Sequence, residues 1–138
     1  MRIKALILWL KYRMKKKTKQ IDSGAELSHL IAEGLEERKG KDTIIMDLRK
    51  AGTSPADFFV ICTGTSDTHV KALCDSVYDY VKQKIAEKPR GIEGMQTGEW
   101  VLMDYTNVIV HIFLKDRREF YSIEELWGDA EFEKIKNK

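Results

Sequence analysis

The stretch GEWVLMDYTNVIVHIF, residues 98–113, is the most apolar passage of an otherwise charged chain of 138 residues. Nearly every position is large and hydrophobic, and the pattern predicts two strands joined by a tight turn. Trp100, Asp104 and His111 stand within this apolar background. The passage is therefore either the centre of a buried sheet or, in part, a surface that meets a partner.

The segments around this hairpin predict one α/β domain. TIIMDL (43–48) and DFFVICT (57–63) are apolar at successive positions, which is typical of strands covered on both faces. GIEG (91–94) adds a short strand before the hairpin. With the helices, the predicted order is α-β-β-α-β-β-β-α, a mixed five-stranded sheet flanked by helices. No internal repeat or linker divides it.

Capping signals place the helices. Ser66 is positioned to cap the longest one, whose apolar residues keep the 3.6-residue period from Val70 to Ile85. The first and last helices each follow a serine with glutamate three residues later, the spacing of a capping box. These pairs are Ser23 with Glu26 and Ser122 with Glu125.

Charge is distributed unevenly along the chain. Residues 1–20 contain eight basic residues and no acidic one. The chain from Ile21 onward contains the remaining 16 basic residues and all 22 acidic residues, which gives this body a formal charge of −6. Binding to phosphates needs clustered lysine and arginine, and the sequence therefore predicts little direct RNA contact by the folded body.

The basic segment 1–20 is interpreted as a tail outside the folded domain of residues 21–138. Its apolar run, Ala5–Leu10, is shorter than the hydrophobic region of a signal peptide and far too short to span a bilayer. Binding to a membrane surface remains open. The favoured interpretation is that Met1 comes from an upstream start codon and that the true start is Met14. We predict no membrane association.

Chemically reactive groupings are sparse. The turn GTSDTH, Gly64–His69, invites phosphate binding but lacks the lysine of a P-loop, and helix capping explains its hydroxyls. Asp104 has no second carboxylate beside it for Mg²⁺, and the histidines lack zinc-ligand spacing. Cys62 and Cys74 are interpreted as core residues. We predict no catalytic residues, metal or cofactor; a nucleotide-binding or nucleotidyl-transfer enzyme using the 64–69 turn is the alternative.

Trp100 allows two interpretations. Trp100, Leu102 and Asp104 fall on one face of their strand, and Val101 and Met103 on the other. Trp100 can pack beneath a helix in the core. It can also be an exposed anchor of a docking surface, because tryptophan, leucine and methionine are common in protein–protein contacts. The second interpretation is favoured.

Five ordered blocks carry a resemblance to a known family. They are DFFVICTGTSDTHVKAL, the Glu93-Gly94 pair, GEWVLMDY, VIVHIF and REFYSIEELW. With these blocks the chain resembles the Iojap/RsfS family of ribosomal silencing factors from about Ile21 to Ala130. The resemblance implies an α/β fold related to nucleotidyltransferases but without their catalytic carboxylates.

The same resemblance implies a function. A cytoplasmic member of this family binds a ribosomal protein of the L14 type on the intersubunit face of the large subunit. It thereby blocks subunit joining and represses translation when nutrients are short. A homodimer is left open. By position, the implied contact residues are Glu93, Trp100, Val101, Leu102, Met103 and Asp104.

One position departs from the family pattern. The family usually has Gly-Asp at the hairpin turn, where this chain has Thr106-Asn107. Because threonine tolerates a positive φ poorly, the sequence leaves the turn type open.

Overall fold

The structure is a computed structural model that describes residues 24–52 and 54–136. The basic tail, residues 1–20, lies outside the described residues. So does Ser23, and with it the first predicted capping box.

The described chain forms four helices and six strands. The predicted order is confirmed from the first helix to the fifth strand, and two features after it differ from the prediction. In chain order the elements are α1 (Gly24–Glu36), β1 (Lys41–Asp47), β2 (Phe58–Gly64), α2 (Asp67–Ile85), β3 (Gly91–Glu93), β4 (Trp100–Asp104), β5 (Val108–Leu114), α3 (Lys115–Tyr121), α4 (Ile123–Leu126) and β6 (Glu131–Lys134).

The six strands form one mixed sheet in the order β3-β4-β5-β2-β1-β6. β2 and β5 run parallel at its centre, in register from Phe58 with Val108 to Gly64 with Leu114. The other neighbours are antiparallel. The mixed sheet is confirmed, but the count of five strands is wrong because β6 adds to the edge of β1. All four residues of β6, EFEK, are exposed. Because only one of them is apolar, the sequence has no apolar alternation that would predict a strand.

Two apolar cores lie on opposite faces of the sheet. One joins α1 and α2 to the sheet and includes Val101 and Met103 of β4 together with Cys62 and Cys74. The other includes Trp100 of β4, and the residues after β5 pack against it. The core placement of both cysteines is confirmed. Burial raises the pKa of the Cys62 thiol to about 11 and that of Cys74 to about 12, so both remain neutral thiols at neutral pH.

The capping predictions have different outcomes. The Ser66 hydroxyl accepts the backbone N–H of His69 at 3.0 Å, which confirms the cap of α2. The predicted Ser122 cap is wrong. Ser122 has a left-handed backbone, with φ 43°, and its hydroxyl donates to the Glu119 carbonyl at 2.7 Å instead. Because α3 already begins at Lys115, Ser122 closes that helix and leads into α4.

Candidate functional site

The implied contact region divides into an exposed strand and a buried one. Glu93 is exposed on β3, whereas the other five residues, Trp100 through Asp104, are buried on β4. Trp100 is only 1% exposed. The expectation that Trp100 is an exposed anchor is therefore wrong, and its interpretation as a core residue is confirmed. Leu102 and Met103, expected in the same exposed patch, are also inside.

Trp100 is held by aromatic rings and one hydrogen bond. Its ring centroid lies 4.6 Å from that of Phe113 and 4.7 Å from that of Tyr121. Its indole N–H donates to Nδ1 of His111 at 3.1 Å. The ring contacts and the hydrogen bond of the indole N–H both fix the position of this side chain. Through them, Trp100 links β4 to β5 and to the end of α3.

His111 is a neutral structural histidine at the centre of the sheet. Its ring packs edge-on against Phe59, with centroids 4.6 Å apart. Complete burial lowers its pKa to about 3. Because Nδ1 accepts from Trp100, the proton of the neutral ring is on Nε2, and that buried atom has no hydrogen-bond partner. His111 therefore serves the core, at the cost of one unsatisfied donor.

Asp104 is used by the hairpin turn. Its carboxylate accepts the backbone N–H of Thr106 at 2.7 Å, and Tyr105 N–H donates to the Val108 carbonyl at 2.9 Å. Thr106 adopts φ 76° although it is β-branched. The Asp104 contact compensates for this unfavourable backbone by satisfying the turn's N–H. The carboxylate thus has a local structural role. Since Asn107 is not among the residues with positive φ, the turn is not of type I′, which needs positive φ at both central residues.

β3 is the accessible part of the implied region. It forms one edge of the sheet, pairs with β4 from Gly91 with Asp104 to Glu93 with Leu102, and exposes Ile92 beside Glu93. Gly94, which follows, has φ 91°. Any side chain there would collide with the Trp100 carbonyl, so only glycine keeps this edge against β4.

The Gly64–His69 turn uses its polar groups internally. Thr65 N–H donates to Nδ1 of His69 at 2.8 Å, and Nε2 of His69 is 2.7 Å from the Arg38 carbonyl. Ser66 takes two further N–H groups, one through its hydroxyl and one through its carbonyl. A phosphate would need these donors, and nothing supports the alternative of a nucleotide-binding enzyme.

Metal and membrane features can be assessed for residues 24–52 and 54–136. Within that part of the chain, no group of three His, Cys, Asp or Glu residues could hold a metal ion. Asp75 and Asp79, whose spacing places two carboxylates on one face of α2, are both exposed. No helix there is long and apolar enough to cross a membrane.

Sequence reasoning predicted one helix after β5, where the structure has two short ones, α3 and α4. Arg118 connects them: its guanidinium donates to both Glu124 oxygens, at 3.0 and 3.2 Å. The same group donates to the Asp42 carbonyl at 2.7 Å and the Thr63 hydroxyl at 2.8 Å. Spacing within REFYSIEELW could not reveal contacts with residues 55 and 76 positions earlier.

The fold is a small α/β domain whose exposed parts include the edge strand β3 and the short helices α3 and α4. The chain belongs to the family of ribosomal silencing factors: the family model described as ribosomal silencing factor during starvation (RsfS) matches residues 21–138. The name of that family describes a regulatory role.

Individual relatives agree with this assignment. The chain is 44% identical over 103 residues to the ribosomal silencing factor RsfS of Chromobacterium violaceum, covering 75% of this chain and 83% of that protein. It is 35% identical over 108 residues to that of Halalkalibacterium halodurans, covering 78% and 91%. A crystal structure of a Chromobacterium violaceum protein superposes with a TM-score of 0.71 at 43% identity, covering 75% of this chain and 85% of that one.

Proposed function

We propose that this protein silences ribosomes in the cytoplasm by binding the large subunit and blocking subunit joining. The partner is a ribosomal protein of the L14 type on the intersubunit face, and the outcome is repression of translation under nutrient limitation. Family membership carries this proposal. The mechanism is steric, since a bound domain occupies space that the small subunit requires and no bond is made or broken.

The charge of the body supports a protein partner. From Ile21 onward the formal charge is −6, and ribosomal proteins are typically basic. Complementary charge raises the rate of encounter and suppresses unsuitable partners. The folded unit for this activity is residues 21–138, and its direct RNA contacts are few.

Within the six-residue region, the proposed contact is direct at Glu93 and indirect through β4. Glu93 and Ile92 are exposed on the edge strand. That edge strand pairs with β4, which is buried and anchored in the core and at the hairpin turn. The residues of β4 are Trp100, Val101, Leu102, Met103 and Asp104. An edge strand offers backbone groups to a partner strand, and Glu93 adds a charge suited to a basic surface.

A charge reversal tests the contact. Glu93→Lys should weaken binding to purified bacterial large subunits about 10-fold, since it sets like charges against a basic partner. Glu37→Lys is the matched control, because Glu37 is exposed in the turn that follows α1, outside the sheet to which β3 belongs. Titration of labelled protein gives both dissociation constants. Equal affinities of the two variants would remove Glu93 from the interface.

A further inference from the structure

Two large apolar side chains on consecutive short helices are exposed. Phe120, on α3, is 73% exposed, and Leu126, on α4, is 67% exposed. Single exposed apolar residues are ordinary on protein surfaces, whereas clusters mark contact sites. Both helices belong to the segment that packs against the Trp100 side of the sheet through Tyr121 and Ile123.

Each of these apolar residues follows an exposed acid in the sequence. Glu119 precedes Phe120, and Glu125 precedes Leu126. The two glutamates line the same cavity, of about 380 Å³, so folding brings them close together. We call Glu119, Phe120, Glu125 and Leu126 the α3–α4 surface. It combines apolar area with negative charge.

The neighbouring bases do not cancel this charge. Residues 115–131 contain three basic and six acidic residues. Two of the bases have acidic partners within the fold: Arg117 lies 3.3 Å from Glu99, and Arg118 lies 3.0 Å from Glu124. The third base, Lys115, is exposed and lines the same cavity as Glu119 and Glu125. The segment still has three more acidic than basic residues, so the surface favours a positively charged protein over phosphate.

The α3–α4 surface is also held in a fixed position. Arg118 ties α3 to α4, to the start of β1 and to the end of β2. Phe120 packs edge-on against Tyr121, at 5.1 Å between centroids, and the Tyr121 ring contacts that of Trp100 in a tilted arrangement. Because little remains to be ordered on binding, such a surface loses less conformational entropy than a mobile one.

We infer that the α3–α4 surface is a second docking site for a basic, apolar-lined surface of a ribosomal protein on the large subunit. This inference rests on the proposed function and adds a contact to the β3 edge. Phe120 and Leu126 supply the buried apolar area, and Glu119 and Glu125 face lysine or arginine side chains of the partner.

Removing the apolar groups is the first test. The double variant Phe120→Ser, Leu126→Ser should weaken binding to purified bacterial large subunits at least about 10-fold, as expected for anchors at the centre of an interface. Its urea-unfolding midpoint should stay near that of the wild type, because both side chains are exposed. Ile85→Ser, on the exposed end of α2, is the control and should bind normally. A double variant that binds as well as this control overturns the inference.

Reversing the acids separates protein from RNA as the partner. Glu119→Lys with Glu125→Lys should weaken binding if the surface meets a basic protein. Stronger binding would reveal phosphate contacts and overturn the inference. Glu37→Lys with Glu87→Lys matches the change in charge at exposed positions elsewhere. If the wild type itself does not bind large subunits, the proposed function fails; if it binds and the α3–α4 variants bind equally, only the second site fails.

Discussion

At the scale of single residues, Trp100 determines much of the stability of the hairpin. It is 1% exposed, contacts three rings and donates its indole N–H to His111. Trp100→Ala should therefore lower the free energy of unfolding by about 3–5 kcal/mol, through lost burial and the cavity left behind. Trp100→Phe keeps a ring but leaves Nδ1 of His111 without its donor, and should cost about 1–3 kcal/mol.

Urea unfolding followed by circular dichroism measures both changes. The alanine variant should be the less stable of the two. It loses both the ring contacts and the hydrogen bond, whereas the phenylalanine variant loses the hydrogen bond and keeps a ring. A loss below about 1 kcal/mol for Trp100→Ala would contradict the buried aromatic cluster described above.

His111 predicts a loss of stability in mild acid. Burial lowers its pKa to about 3 in the folded protein, against about 6.5 for an unperturbed histidine. Below pH 6.5 the unfolded chain therefore binds a proton that the folded one does not, and the free energy of unfolding falls with pH until about pH 3. From pH 7 to pH 5 this contributes a loss of about 2 kcal/mol.

His111→Gln is the matched control, because it cannot take up a proton yet still offers Trp100 an acceptor. Its unfolding free energy should change less between pH 7 and pH 5 than that of the wild type. His29 has the opposite sign: its contacts with the Ala25 carbonyl and Glu133 raise its pKa, so its stabilisation is lost as the pH rises. His29 is present in both proteins and cancels. Parallel pH profiles would contradict the assignment to His111.

At the scale of elements, local patterns predicted most of the fold. Continuous apolar runs located β1, β2, β4 and β5, and Ser66 located the start of α2. β6 was missed because its four residues are all exposed, so that its pairing with β1 leaves no periodic signal. The choice between the two interpretations of Trp100 was also out of reach, since its burial depends on contacts with Tyr121 and His111 that only the folded chain brings together.

Arg118 is expected to be the main connection between the α3–α4 pair and the sheet. Its side chain is 12% exposed and bonds three separate segments. Arg118→Met should cost about 2 kcal/mol, because it removes several charge-assisted hydrogen bonds and leaves Glu124 unpaired. Arg117→Met is the control: its partner Glu99 is 3.3 Å away and its side chain is 40% exposed, so the expected loss is below about 1 kcal/mol.

Hydrogen exchange locates the effect of Arg118→Met. Amides of α3 and α4 should lose protection in this variant and keep it in Arg117→Met, while the central strands stay protected. Uniformly faster exchange across the sheet would show that Arg118 supports the whole fold and not these two helices.

At the scale of the whole molecule, charge distinguishes a protein-binding mode from an RNA-binding one. Each phosphate neutralised adds about −0.9 to the log–log salt slope for duplex DNA, and about −0.7 for single strands. A body with a formal charge of −6 that docks on protein should give a shallow slope on purified large subunits. A slope steeper than about −4 would mean that phosphate contacts dominate.

Sedimentation with purified ribosomal subunits tests the central claim most directly. The protein is mixed with large subunits, with small subunits, and with both under conditions that favour joining. We predict that it pellets with large subunits and reduces the yield of joined ribosomes, since docking by steric occlusion requires both. Retention on small subunits alone, or binding that leaves joining unchanged, would contradict the account.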